Sequence, residues 1–155
     1  MRIYRIAIVL FLALATHGCW PFDKNDNGTG ASSVDVSGTW HSAMMVATCS
    51  PANTCKAAGF TPGQSANATM VLTQNGSKVK GTYTYDGAGI NADVSGQVSG
   101  NQLTLNGDAS NPFGRVTVDL TGTVANNQIA ANVSHNISLI DGRSGTVTGS
   151  GTFSK

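Results

Sequence analysis

The run VTVDLTGTVANNQIAANV, residues 116–133, decides the fold. Val116, Val118, Leu120, Gly122 and Val124 alternate with Thr117, Asp119, Thr121 and Thr123. Ala125-Asn126-Asn127 interrupts, and Ile129, Ala131 and Val133 resume the alternation. A period of two puts one face on a core and the other in water, which is a pair of β-strands. A break this short between them, rich in Asn, makes the pair an antiparallel hairpin.

The same reading extends in both directions. Trp40, Ser42, Met44 and Val46 form one face of a first strand, preceded by Val36-Ser-Gly-Thr. Ala68, Met70 and Leu72 form that of a second, and Val79, Gly81, Tyr83 and Tyr85 that of a third. Asn75-Gly76 between the last two predicts a type I′ turn, because both residues accept a positive φ. Ile90, Ala92, Val94, Gly96 and Val98 make a fourth face, Leu103 and Leu105 a fifth, and Val147, Gly149, Gly151 and Phe153 an eighth. Residues 137–145 read as an irregular connection.

A unit of apolar–polar–Gly–polar–apolar repeats at Val36–Trp40, Val79–Tyr83, Val94–Val98 and Leu120–Val124, with a relative at 147–151. Its glycine falls on the inward face, where it lets a strand bend and coil as closure demands. Eight short strands joined in order predict an all-β, antiparallel, up-and-down β-barrel, which removes exposed edges. A two-sheet β-sandwich is the alternative. The outward faces are Thr, Asn, Ser, Asp, Lys and Gln, which excludes a membrane-spanning barrel.

Composition agrees. Among 155 residues there are 19 Gly, 17 Thr, 15 Ser and 13 Asn, no Glu, and a net charge of +1. Turn formers and β-branched residues dominate, and strong helix formers are few. A chain this near neutrality has no basic face for nucleic acid.

Gly38-Thr39-Trp40, Gly81-Thr82-Tyr83 and the closing Thr152-Phe153-Ser154-Lys155 resemble the avidin family, within the wider lipocalin-like, calycin-type group of eight-stranded barrels. The resemblance implies the fold. It implies against biotin as ligand. Tyr83 matches a position that donates to the ureido oxygen, but Ser42, Val46, Tyr85 and Gly151 replace polar partners of the family, and the domain holds Trp40 alone where the family lines its pocket with several tryptophans. Losing buried partners removes most of the affinity of such a site.

Residues 1–18 read as a signal peptide. Arg2 and Arg5 precede the apolar run Ile6–Leu14, which is too short to cross a bilayer core of ~30 Å. Thr16-His17-Gly18-Cys19 resembles a bacterial lipobox with lipid on Cys19, and Ala13-Leu14-Ala15 is a competing A-x-A site. Cysteine arithmetic favours the first. Cys49 and Cys55 sit six apart and predict a disulfide in an oxidising compartment, which leaves Cys19 over unless it carries lipid. Residues 19–35 then form a polar tether, with Trp20 and Phe22 at the lipid interface, and 36–155 the barrel domain. The address is an outer-membrane lipoprotein, or a secreted protein if the A-x-A site is used. The expected partners are a membrane, through the N-terminal lipid, and a small apolar ligand.

The sequence carries no catalytic motif. Asp93 and Asp119 face outward, and His41 and His135 read as solvated surface residues. Cys49, Cys55 and the distant histidines have poor zinc spacing, so neither a metal nor a cofactor is expected. The chain reads as a non-enzyme. Trp40, Ser42, Met44, Phe60, Tyr83 and Tyr85 are the candidate ligand-binding residues inside the barrel. The long connection 47–66 carries both Cys and Phe60, and a loop of that length predicts a cover over one mouth. A filled interior would make the domain a structural or protein- or glycan-interaction module instead.

Overall fold

A computed structural model describes residues 33–155. The signal peptide, the Cys19 lipid site and the tether up to residue 32 lie outside the described residues. Eight strands follow in order: β1 (Gly38–Ser50), β2 (Ser65–Asn75), β3 (Lys78–Tyr85), β4 (Ile90–Ser99), β5 (Gln102–Asn111), β6 (Gly114–Ala125), β7 (Gln128–Leu139) and β8 (Ser144–Ser154). Each pairs antiparallel with the next, and β8 pairs with β1, so the sheet closes into an up-and-down barrel consistent with a calycin-like fold. Closure disposes of the sandwich alternative.

The inward set is the one that alternation assigns. Trp40, Met44, Met70, Leu72, Tyr83, Tyr85, Leu103, Leu105, Leu120 and Phe153 are all buried. Inward glycines permit the coiling. A Cβ on Gly81 would land on the carbonyl oxygen of Val71, and one on Gly96 on that of Thr104. Neighbouring backbones have moved into the space that a side chain would fill. Gly38 departs from the repeat: it is exposed, at φ +123°, and begins β1 instead of lining the core. Val36, not Gly38, is the buried residue of that entry segment.

Three other expectations need correction. The β2–β3 turn centres on Gly76-Ser77, with Asn75 paired to Lys78, and Gly76 (φ +60°) is its positive-φ residue. That is the type II′ pattern, with Gly at the first central position. Asn126 and Asn127, at φ 50° and 58°, supply the type I′ turn instead. Residues 137–145 are not irregular: β7 runs to Leu139, and β8 begins at Ser144. The long connection is also shorter than 47–66, because β1 continues to Ser50 and β2 starts at Ser65.

Antiparallel order gives the barrel two ends. The turn end carries the tight β2–β3, β4–β5 and β6–β7 hairpins, residues 33–37, and Lys155. There the Val34 amide donates to the Gly100 carbonyl (3.0 Å) and the Val36 amide to Gln74 Oε1 (2.8 Å), and Val36 is fully buried. The loop end carries residues 51–64, the 3-10 turn Asp86–Ala88, and the β5–β6 and β7–β8 hairpins. Residues 51–64 contain a short helix, α1 (Ala52–Ala57), and then a strap that inserts Phe60 into the barrel mouth.

A candidate functional site at the loop end

Period two carries Tyr83 and Tyr85 inward near the end of β3, and Met44 inward on β1. Beyond Val133, the same alternation in β7 turns His135, Ile137 and Leu139 inward. His135 is therefore not a surface residue; it is 0% exposed. It sits between Val118 of β6 and Val147 of β8 in the ladder. An apolar residue at 135 would satisfy the fold, so its chemistry calls for an explanation.

The rings converge on that histidine. Phe60 lies 5.2 Å from it, Tyr85 5.7 Å and Tyr83 5.8 Å, centroid to centroid. Phe60 also stacks on Tyr85 at 5.7 Å, with planes 7° apart. The Tyr83 hydroxyl reaches His135 Nε2 (3.2 Å) and Met44 Sδ (3.3 Å). The Tyr83 hydroxyl is thus already engaged inside the barrel.

Burial governs the electrostatics. It pushes the His135 imidazole down to about 4, so the ring is neutral at neutral pH. It pushes both Tyr83 and Tyr85 above the usual phenol range, so both stay protonated. Among the described residues, the buried side-chain atoms without a hydrogen-bond partner are His135 Nδ1 and Ser42 Oγ. Each such group costs about 1–3 kcal/mol when left unmet. The loop end is thus a closely packed apolar and aromatic cluster around one buried polar ring, and small-molecule sites combine an apolar lining with a few placed polar groups.

Of the six residues expected to line a site, Met44, Phe60, Tyr83 and Tyr85 come together here. Ser42 lies deeper, where a Cβ on Gly151 of β8 would meet its hydroxyl. Trp40 does not join them. It belongs to the turn end, where its Nε1 donates to the Val36 carbonyl (2.9 Å) and Lys155 Nζ lies 4.6 Å above its ring. His135 is the member that sequence reading missed.

The cover is held on both sides of Phe60. Cys49 and Cys55 lie at disulfide distance, with Cα atoms 6.0 Å apart, and tie α1 to the end of β1. The Phe60 amide donates to the Cys55 carbonyl (2.9 Å), and the Gly63 amide to the Val46 carbonyl (2.8 Å).

Outside the barrel, His41 Nδ1 meets Thr69 Oγ1 (3.2 Å) in an open cleft of about 410 Å³ that also includes Asn67 and Asp86. Among the described residues, no group of three or more His, Cys, Asp or Glu side chains is placed to hold a metal ion. Comparison with protein-family models, curated proteins and solved structures finds no match to this chain.

Proposed function

We propose that the protein is an exported, lipid-anchored, non-enzymatic β-barrel of the bacterial envelope that holds a small apolar or aromatic ligand in its loop-end chamber. The observation that carries the reading is His135: fully buried, ringed by Phe60, Tyr83 and Tyr85, with one ring nitrogen unmet. A chain selected for a filled core alone gains nothing from that nitrogen. The address rests on the sequence: the apolar run after Arg2 and Arg5, the Gly18-Cys19 pair, and a Cys19 left over once Cys49 and Cys55 pair.

A second reading has its own support. Phe60 fills the mouth, Val36 and Trp40 fill the opposite end, and all three are at most 1% exposed. On that basis the interior is simply a core, and the polar outer face is the working surface, toward another protein or a glycan.

Native mass spectrometry of protein purified from membranes of its own host separates the two. The expected species is a chain beginning at an acylated Cys19 with a small molecule retained. A bare acylated chain that binds no small aromatic or aliphatic compound favours the interaction module. Processing that persists before Thr16 when lipoprotein signal peptidase is blocked would remove the lipid anchor.

A further inference from the structure

The strap packs an aromatic ring from the protein's own chain into the loop-end cluster. Phe60 lies flat on Tyr85 and tilted against His135, as a bound planar ligand would. It rides on a short arc between Gly59 (φ +86°) and Gly63 (φ +80°), conformations that other residues adopt only with strain. On either side of that arc the chain is pinned, by the Cys49–Cys55 pair and by the mutual bonds of Val46 with Gly63 and Gln64. The Phe60 amide also bonds the Cys55 carbonyl (2.9 Å), so the ring leaves either by side-chain rotation or by giving up that one bond, with the pins on either side intact.

Resting on the ligand-binding reading above, we propose that the chamber takes a small neutral phenol, whose ring replaces that of Phe60 and whose hydroxyl bonds His135 Nδ1. The ring is read from the occupant it displaces. The hydroxyl is read from the histidine. If Tyr83 donates to His135 Nε2, then Nδ1 carries the proton and needs an acceptor. If Tyr83 donates to Met44 Sδ, then Nε2 carries the proton, and Nδ1 needs a donor. A hydroxyl serves in either case, since it both donates and accepts. Neutrality follows from the surroundings. The ring contacts of His135 are Phe60 from the strap and Tyr83 and Tyr85 from β3, with Met44 from β1 reached through Tyr83, and no Asp, Lys or Arg is buried among the described residues. Its ladder neighbours on β6 and β8 are Val118 and Val147. None of these carries a charge to offset that of an anion.

The test uses the full mature protein in detergent, titrated calorimetrically with phenol, benzene and benzoate. The Phe60→Ala variant, with its mouth vacated, should bind phenol at least about tenfold tighter than benzene, because an unmet polar group discriminates strongly for its partner. It should bind phenol more tightly than the wild type, where the native ring competes. Adding His135→Leu should abolish the preference for phenol over benzene. Equal affinity for phenol and benzene in Phe60→Ala overturns the assignment of the hydroxyl to His135, while the broader ligand reading survives. Benzoate binding as tightly as phenol overturns the neutral class. If neither phenol nor benzene binds to wild type or variant, the ligand reading itself falls. Should Phe60→Ala fail to fold, Phe60→Leu opens part of the same space and carries the same comparison.

Discussion

The Phe60 and Tyr85 rings lie parallel within 7° with centroids 5.7 Å apart, so the strap closes the loop end by offset stacking across a junction of two segments distant in sequence. Offset stacking adds to area burial, by about 0.5–1.5 kcal/mol for an aromatic pair. Removing Phe60 opens the mouth and leaves Tyr85 and His135 facing the gap. Phe60→Ala should therefore destabilise the fold by about 3–5 kcal/mol in urea unfolding. A midpoint unchanged from wild type would mean that the strap is not part of the cooperative unit.

Acid should weaken the barrel through His135. Its folded pKa is about 4, against about 6.5 when unfolded, and burial is the cause. Between those values the unfolded chain binds more protons, so stability rises with pH. The contribution is fully present above about pH 6.5, is lost as pH falls toward 4, and amounts to roughly 3 kcal/mol. Asp35, Asp108 and Asp141 are held below the usual carboxylate range by the Ser37 amide, Arg115 and Arg143 respectively, so their stabilisation is lost at lower pH. A thermal unfolding series from pH 7 to 4 should show a falling Tm that His135→Leu flattens. A wild-type Tm constant across that window would contradict a neutral buried imidazole.

Why was the barrel legible and its most informative side chain not? Strand faces follow from alternation, and eight of them with tight turns leave little choice of architecture. Alternation of apolar residues, however, stops at Val133. His135 then reads as the polar end of the seventh strand, and only the resumption at Ile137 and Leu139 shows that the strand continues. Carrying the register past Val133 would have turned His135 inward. Trp40 was misgrouped for a different reason. It sits early in β1, whereas Tyr83 and Tyr85 sit late in β3, and strands running the same way place those positions at opposite ends. Phe60 had no periodicity to read; loop length and its aromatic ring were the signal, and they pointed to a cover. Its contacts with His135 depend on tertiary packing that no local pattern encodes.

The cysteine pair should hold the cover rather than the barrel. Cys49 is the second-last residue of β1 and Cys55 is buried in α1, so a bond between them fixes the helix from which the strap departs. A loop of this size contributes about 2 kcal/mol in the chain-entropy model. Replacing both with Ser should lower unfolding stability by that order and raise hydrogen exchange at the Phe60 amide, while the strand amides of β3–β6 keep their protection. Two free thiols at these positions in denatured, unreduced protein would refute the pairing.

Closure itself should depend on the absence of side chains at Gly81 and Gly96. At both positions the atom in the way is a carbonyl oxygen of the neighbouring strand, Val71 for Gly81 and Thr104 for Gly96. Backbone cannot swing aside as a flexible side chain can, so an added methyl must push two paired strands apart. That opens ladder hydrogen bonds and flattens the bend that brings β8 back to β1. Gly81→Ala should cost more than about 2 kcal/mol, the range reserved for overpacking and backbone strain. Lys80→Ala, one residue away on the exposed face, should stay within about 0.5 kcal/mol of wild type. Urea unfolding of the two variants side by side makes the comparison. If Gly81→Ala unfolds at the same urea concentration as Lys80→Ala, the inward glycines are not what lets the sheet close.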